Sequence, residues 1–299
     1  MITIIFAPPR TGKTCFMTHL ANQYAFDRLR NKAMQDELRQ KIASGFTGIK
    51  TIPEHCVSAN YDIALRKFGY RTRRSRRINP YRLGFANALV KTHFNIPHEA
   101  IFITEAQKYL NSRMSRLFPD WQSRWYEQHG HNNLDIFLDT QRPMLIDVNI
   151  RELAQLIEIV KLDIEYDLLG QPCRLQWTIR RIPNSQLFDK YMASGKQDKS
   201  CYTEETVTAN YNVFRCYDSR ACKPKFYAGH FKDDIDYQQA EPTEDSFDGY
   251  VKFLREFDDE LPNNFYIKES DKNAIQKKAG QAVGDKPQRQ NKLQQKRLA

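Results

Sequence analysis

The chain opens on Met1-Ile2-Thr3-Ile4-Ile5-Phe6-Ala7-Pro8-Pro9-Arg10-Thr11-Gly12-Lys13-Thr14-Cys15, and this stretch decides the fold. The apolar run Ile2–Phe6 is typical of a strand buried on both faces of a sheet. A turn with two prolines and a glycine follows, and a helical pattern then continues from about Gly12 to Arg30. A buried strand, a tight turn and a helix in this order predict the first unit of an α/β fold.

The turn fits the phosphate-binding pattern G-x-x-x-x-G-K-[ST], with alanine in place of the first glycine. Gly12 lets the backbone pass close to a phosphate, and successive N–H groups surround the anion. Lys13 neutralises phosphate charge, and the hydroxyl of Thr14 ligates Mg²⁺. The alternative is a chance match in an ordinary strand-to-helix turn. The pattern predicts an ATP and Mg²⁺ site with the nucleotide-binding residues Ala7, Pro8, Pro9, Arg10, Thr11, Gly12, Lys13, Thr14 and Cys15.

A nucleotide-hydrolysing site also needs a carboxylate on a nearby strand, to hold Mg²⁺ through water and to polarise the attacking water. The apolar strand Ala100–Ile103 carries Thr104 and Glu105 at its carboxyl end, where ligands of α/β sheets bind. Glu105 is therefore predicted to be the catalytic carboxylate. Thr104 stands where aspartate is usual and is predicted to contact the metal through water, without adding charge. The alternative is a core strand followed by a capping threonine and a helix.

A third buried strand is predicted over Leu134–Asp139, and Gln141 follows it. An amide at this place can sense the γ-phosphate or orient water, although glutamine at a strand end is otherwise an ordinary surface residue. Further along, residues 157–167 and 173–181 predict a β-hairpin. The alternation of strands and helices predicts a mainly parallel sheet with helices on both faces.

Composition and charge restrict the class of protein. The chain has 299 residues, 40% of them hydrophobic, with no secretory signal and no apolar run long enough to cross a bilayer. We therefore expect a cytoplasmic protein. Its net charge is +10, concentrated in residues 268–299 and in the arginine-rich stretch 66–77. Either an acidic partner, such as single-stranded DNA or an anionic membrane surface, or a solvated surface explains these basic patches.

The predicted organisation has three parts. Residues 1–185 form the ATPase domain, and residues 186–267 form a C-terminal extension or a continuation of the same domain. Residues 268–299 are expected to be a disordered basic tail, because they have too few large apolar groups to offset the entropy of ordering.

Three segments together resemble the Zot-like (zonula occludens toxin-like) assembly ATPases of filamentous phages, in the FtsK–HerA group of P-loop NTPases. They are residues 4–14, 101–107 and 134–141. The resemblance implies an ATP-driven ring oligomer that extrudes phage through the host envelope, with phage or host inner-membrane assembly proteins as partners. It also implies nucleotide binding by Lys13 and Thr14, hydrolysis by Glu105, sensing by Gln141 and an arginine finger at Arg151 for a neighbouring subunit.

This chain departs from the family pattern at two points. Thr104 replaces the usual aspartate, and the sequence contains no membrane-spanning helix of the kind that family members commonly carry. A separate membrane partner or a peripheral position at the inner face of the host membrane is then expected. Two other functions stay open. One is a DNA-translocating or packaging ATPase of the same superfamily, and the other is a nucleotide-binding scaffold with little hydrolysis.

Overall fold

The computed structural model describes residues 1–44, 46–47, 52–65, 73–78, 80, 83, 96–113, 120–217 and 267–268. Its helices are α1 (Lys13–Ala25), α2 (Arg28–Ala43), α3 (Asp120–Glu127), α4 (Val148–Glu152) and α5 (Ser185–Ala193). Its strands are β1 (Ile2–Phe6), β2 (Phe46–Thr47), β3 (Val57–Ala59), β4 (Ala64–Leu65), β5 (Arg73–Arg74), β6 (Arg76–Arg77), β7 (Ala100–Ile103), β8 (Asp135–Thr140), β9 (Ala154–Tyr166), β10 (Pro172–Ile182), β11 (Thr203–Asn210) and β12 (Ile267–Lys268).

Eight of these strands form one sheet in the order β11-β10-β9-β1-β8-β7-β3-β6. The six strands from β9 to β6 run parallel, and β10 and β11 add antiparallel partners beside β9. The carboxyl ends of β1, β8 and β7 therefore meet at one edge, which we call the phosphate-loop edge. The predicted fold class, an α/β P-loop fold with a mainly parallel sheet, is confirmed.

Strand β1 lies between β9 and β8 in the sheet, and helices cover both of its faces. All five of its residues are buried. Ile5 packs into a core shared with α1 and α2, whereas Ile4 and Phe6 pack into a second core with α3, α4 and α5. Successive side chains of a strand point to opposite faces, so a strand that is apolar throughout fits only between two such layers.

The predicted hairpin is present as β9 and β10. Only Ala154–Glu158 of β9 pairs with β1, so residues 159–166 continue beyond the phosphate-loop edge. The predicted boundary between residues 185 and 186 falls inside α5, and β11 of the predicted extension pairs with β10 in the main sheet. Residues 186–217 thus contribute to the same two cores as the residues before them.

Most of the predicted tail, together with residues 218–266, lies outside the described residues. Ile267 and Lys268 form β12, which pairs with β2. Among the residues that the structure describes, no helix has both the length and the apolar character needed to cross a membrane.

One arginine of the basic stretch 66–77 points into the protein. Arg76 lies in β6, and its Nη2 is 2.9 Å from Oε1 of Glu99, which also accepts the hydroxyl of Ser58. Both charged side chains are largely withdrawn from water. Arg76 is therefore not part of the predicted basic patch, because its charge is used inside the fold. Residues 66–72 of the patch lie outside the described part of the chain.

Replacement of Glu99 with leucine is expected to lower the free energy of unfolding by about 3–5 kcal/mol, because it takes the carboxylate away from a buried guanidinium. Equilibrium unfolding in urea measures this change. Glu37→Gln is the matched control, since Glu37 pairs with Lys41 at the surface, where an ion pair contributes about 0–1 kcal/mol. Equal effects of the two substitutions would contradict a buried role for the Arg76–Glu99 pair.

Candidate nucleotide site

The loop after β1 has the backbone turns that close approach to an anion requires. Arg10 and Gly12 adopt left-handed conformations, with φ of 66° and 82°. Helix α1 then begins at Lys13, and the Gly12 carbonyl accepts the N–H of Phe16 at 2.8 Å. Gly12 caps the helix without a side chain, so the N–H groups of the first turn are left for a ligand.

Lys13 spans this loop. Its Nζ donates to the carbonyl oxygens of Ala7 at 2.9 Å and Pro8 at 3.1 Å. Burial lowers the pKa of Lys13, whereas the charges of Asp139 and Glu105 raise it. The ammonium group thus donates to the loop carbonyls and feels the charges of two carboxylates, as expected of a group that binds a polyphosphate with its metal ion.

Side chains of β9 and β10 pack closely against the phosphate loop at Gly12. Leu162 and Trp177 stand opposite each other in the β9–β10 ladder. A Cβ atom added to Gly12 would lie 2.6 Å from Cδ2 of Leu162 and 3.3 Å from Nε1 of Trp177. Only glycine fits this contact. The sequence alone does not indicate Leu162 and Trp177, because their position depends on how far the hairpin extends beyond β1.

Glu105 lies two residues beyond β7, also in a left-handed conformation, with φ of 56°. Its N–H donates to Oδ1 of Asp139 at 2.6 Å, and its Oε2 accepts Nε2 of Gln107 at 3.0 Å. The carboxylate is 3.7 Å from Nζ of Lys108 and 30% exposed. The structure therefore brings Glu105 to the edge where Lys13 lies and leaves its carboxylate accessible. Its catalytic role stays a prediction.

Thr104 is fully buried and is held by Asn60, a residue that the sequence analysis missed. The N–H of Thr104 donates to Oδ1 of Asn60 at 2.8 Å, and Nδ2 of Asn60 donates to the Thr104 carbonyl at 3.0 Å. The hydroxyl of Thr104 lies 3.4 Å from the same Oδ1 atom. These bonds join the ends of β3 and β7. The water-mediated metal contact of Thr104 stays a prediction.

Asp139 is an acidic residue of the site that the sequence analysis did not assign. It belongs to β8, between β1 and β7, and is only 2% exposed. It accepts the N–H of Glu105, and its charge raises the pKa of Lys13. A buried charge has to be paired or bound to a ligand. An aspartate near the end of an otherwise apolar strand was the signal available in the sequence.

Gln141 lies at the phosphate-loop edge of the sheet, whereas Arg151 lies near the opposite edge. Gln141 is exposed just beyond β8, at the phosphate-loop edge. Arg151 is in α4, three residues before Ala154, which pairs with Ile2 at the start of β1. It therefore lies near the opposite edge of the sheet, roughly 13 Å away along a five-residue strand. The structure does not bring Arg151 to the phosphate loop of its own chain.

The remaining predicted ligands lie in the first turn of α1. The thiol of Cys15 is buried, which raises its pKa to about 12, so Cys15 can offer a nucleotide only its backbone. Thr14 is partly exposed. Among the described residues, no group of three or more His, Cys, Asp and Glu side chains is arranged to hold a metal ion. The oxygens of Thr14, Asp139 and Glu105 suit Mg²⁺ chemically, and such an ion usually takes its other ligands from phosphates and water.

Residues 82–219 match the family model described as Zonular occludens toxin (Zot). This segment of the chain resembles the Zot family. The match begins after the phosphate loop, so the interpretation of residues 7–14 rests on their own sequence and geometry. The matched segment includes Glu105, Asp139, Gln141 and the hairpin β9–β10.

The solved structures that are similar to this chain include the following two. The N-terminal domain of zonular occludens toxin from Neisseria meningitidis is 18% identical, with a TM-score of 0.42, over 73% of this chain and 98% of that one. The genome packaging NTPase B204 from Sulfolobus turreted icosahedral virus 2, in complex with ATP-gammaS, is 12% identical, with a TM-score of 0.33, over 69% and 95%. A comparison with curated protein sequences found no match.

Proposed function

We propose that this chain is an ATP-hydrolysing motor of the Zot-like type that acts in phage assembly or extrusion. The observation that carries the proposal is the meeting of Lys13, Glu105 and Asp139 at one edge of the sheet, next to a glycine loop that opens a helix. Phosphate binding by the loop and activation of water by a carboxylate are the two requirements of nucleotide hydrolysis at such a site.

In this proposal each residue at the edge has a separate task. The loop N–H groups and Lys13 bind the phosphates, and Thr14 offers its hydroxyl to the metal ion. Glu105 accepts a proton from the attacking water, and Gln141 senses the γ-phosphate. A bound Mg²⁺ supplies neutralisation of the charge that develops on the phosphates.

The proposed machine is a ring of identical subunits, with phage or inner-membrane assembly proteins as partners. Arg151 lies away from the phosphate loop of its own chain, so a finger role for it requires a neighbouring copy. Single-stranded DNA is the other proposed partner, through the basic residues outside the described part of the chain.

The decisive experiment measures Mg²⁺-dependent ATP hydrolysis and nucleotide binding by the full chain. We expect Lys13→Ala to weaken ATP binding about 10- to 100-fold, the loss of one charged contact of about 1.5–3 kcal/mol. Lys32→Ala, a change of an exposed lysine in α2, is the control. Binding without turnover by the unaltered chain would reject the motor in favour of a nucleotide-binding scaffold.

Addition of DNA to the same assay separates extrusion from movement along DNA. A motor that acts on assembly proteins is expected to hydrolyse ATP at the same rate with and without DNA. Strong stimulation by single- or double-stranded DNA, together with binding that weakens steeply with salt, would favour a packaging or translocating ATPase.

A further inference from the structure

The position of Asp139 in the sheet sets it beside Thr104. Leu138 of β8 pairs with Ile103 of β7, so the next residues of the two strands, Asp139 and Thr104, are level with each other. On the other side of β8, Asp139 pairs with Ile5 of β1, two residues before the phosphate loop. Neighbouring strands are about 4.8 Å apart. Asp139 thus stands one strand nearer to the phosphate loop than the position from which a carboxylate is missing.

The surroundings of Asp139 connect it to both halves of the site. Its Oδ1 accepts the N–H of Glu105 at 2.6 Å, which fixes the left-handed turn at that residue. Its charge raises the pKa of Lys13 more than the charge of Glu105 does. The carboxylate is almost fully buried, and in such a place a negative charge attracts a cation far more strongly than it does in water.

Thr104 cannot attract a metal ion as the Asp139 carboxylate does. Its side chain has no charge, and its backbone groups are engaged by Asn60. A Mg²⁺ ion bound with a nucleotide generally has one or two protein carboxylates near it in addition to the phosphates. Among the described residues around Lys13, Asp139 and Glu105 are the acidic residues whose charges act on its pKa, and in the proposed function Glu105 has the separate task of activating water.

We propose that Asp139 supplies, from β8, the metal-binding carboxylate that β7 lacks at Thr104, and that the same side chain positions Glu105. This inference rests on the proposed nucleotide-hydrolysing function. The carboxylate acts on the metal ion of the bound nucleotide, directly or through a bound water. Its hydrogen bond to the Glu105 N–H holds the second carboxylate in place for the attacking water.

Asp139→Asn and Asp139→Ala separate the two roles. Asparagine keeps an oxygen that can accept the Glu105 N–H but removes the charge, whereas alanine removes both. The affinity for a fluorescent ATP analogue is measured with Mg²⁺ and with EDTA. In Asp139→Asn we expect the gain in affinity that Mg²⁺ gives to fall at least about tenfold, the value of one charged contact. The affinity in EDTA is expected to stay the same or to rise, because a negative charge near the phosphates is gone.

The second arm of the test moves the carboxylate back to β7. Thr104→Asp combined with Asp139→Asn is expected to restore the gain from Mg²⁺, and Thr104→Asn combined with Asp139→Asn, a matched pair of similar size, is expected not to. The electron paramagnetic resonance spectrum of Mn²⁺ with ADP reports the same contact without turnover. Asp163→Asn, a change of an aspartate in the hairpin that pairs with Lys161, is the control.

Two results would overturn the proposal. One is an unchanged gain from Mg²⁺ in Asp139→Asn, and the other is equal Mn²⁺ spectra in the two Thr104 double variants. Both double variants carry Asp139→Asn, so a loss of stability caused by that change is common to the two, and circular dichroism establishes that both are folded before their spectra are compared. A different result, no nucleotide binding by the unaltered chain with or without Mg²⁺, would reject the proposed function itself.

Discussion

Replacement of Gly12 with alanine is expected to abolish detectable nucleotide binding while the sheet stays folded. Gly12 has φ of 82°, a conformation that costs a residue with a side chain about 1–3 kcal/mol. The added methyl group would also lie 2.6 Å from Cδ2 of Leu162, so the loop or the hairpin has to move. A displacement of about 1 Å at a site of this kind costs about 100-fold in function, and we expect at least that loss in affinity.

Two further variants show which of these causes dominates. In Gly12→Ala combined with Leu162→Ala, the close contact is relieved but the unfavourable φ stays, so part of the affinity is expected to return. Gly130→Ala is the control, because Gly130 has no heavy atom within 4 Å of the added methyl group. Titration with a fluorescent ATP analogue measures all of them, and circular dichroism follows the fold. If Gly12→Ala binds the analogue within threefold of the unaltered chain, Leu162 and Trp177 do not restrict residue 12 to glycine.

The parts of the fold predicted from sequence are those that local pattern determines. The apolar runs of β1 and β7 are buried on both faces, and such runs indicate parallel strands regardless of their neighbours. The phosphate loop is equally local, because its strand, turn and helix are consecutive. The hairpin β9–β10 was also predictable, since the turn Gly170-Gln171-Pro172 separates two runs with the pattern of strands.

The features that the sequence did not predict depend on which strands are neighbours in the sheet. Asp139 was ordinary in the sequence because its importance comes from β8 lying between β1 and β7. Asn60 contacts Thr104 across 44 residues, and Arg76 turns inward because Glu99 and Ser58 lie beside it. None of these contacts follows from periodicity, since parallel pairing joins segments that are far apart in the chain.

Replacement of Glu105 with glutamine is expected to slow ATP hydrolysis about 10²- to 10⁴-fold, the usual contribution of a positioned general base. Nucleotide affinity is expected to stay within about threefold, because the bond from the Glu105 N–H to Asp139 belongs to the backbone and survives the change. Glutamine has nearly the same shape as glutamate, and its carbonyl oxygen can still accept the amide of Gln107. The variant should therefore hold ATP in the site without turning it over.

Single-turnover hydrolysis of labelled ATP, measured beside equilibrium binding, tests this expectation. Glu152→Gln, a change of an exposed glutamate in α4, is the matched control and should hydrolyse ATP at the unaltered rate. A parallel fall in affinity and turnover would mean that Glu105 supports the shape of the site instead of the chemical step. Unchanged turnover would assign the activation of water to another group, and Asp139 would then be the first to examine, because its carboxylate is bonded to the Glu105 backbone.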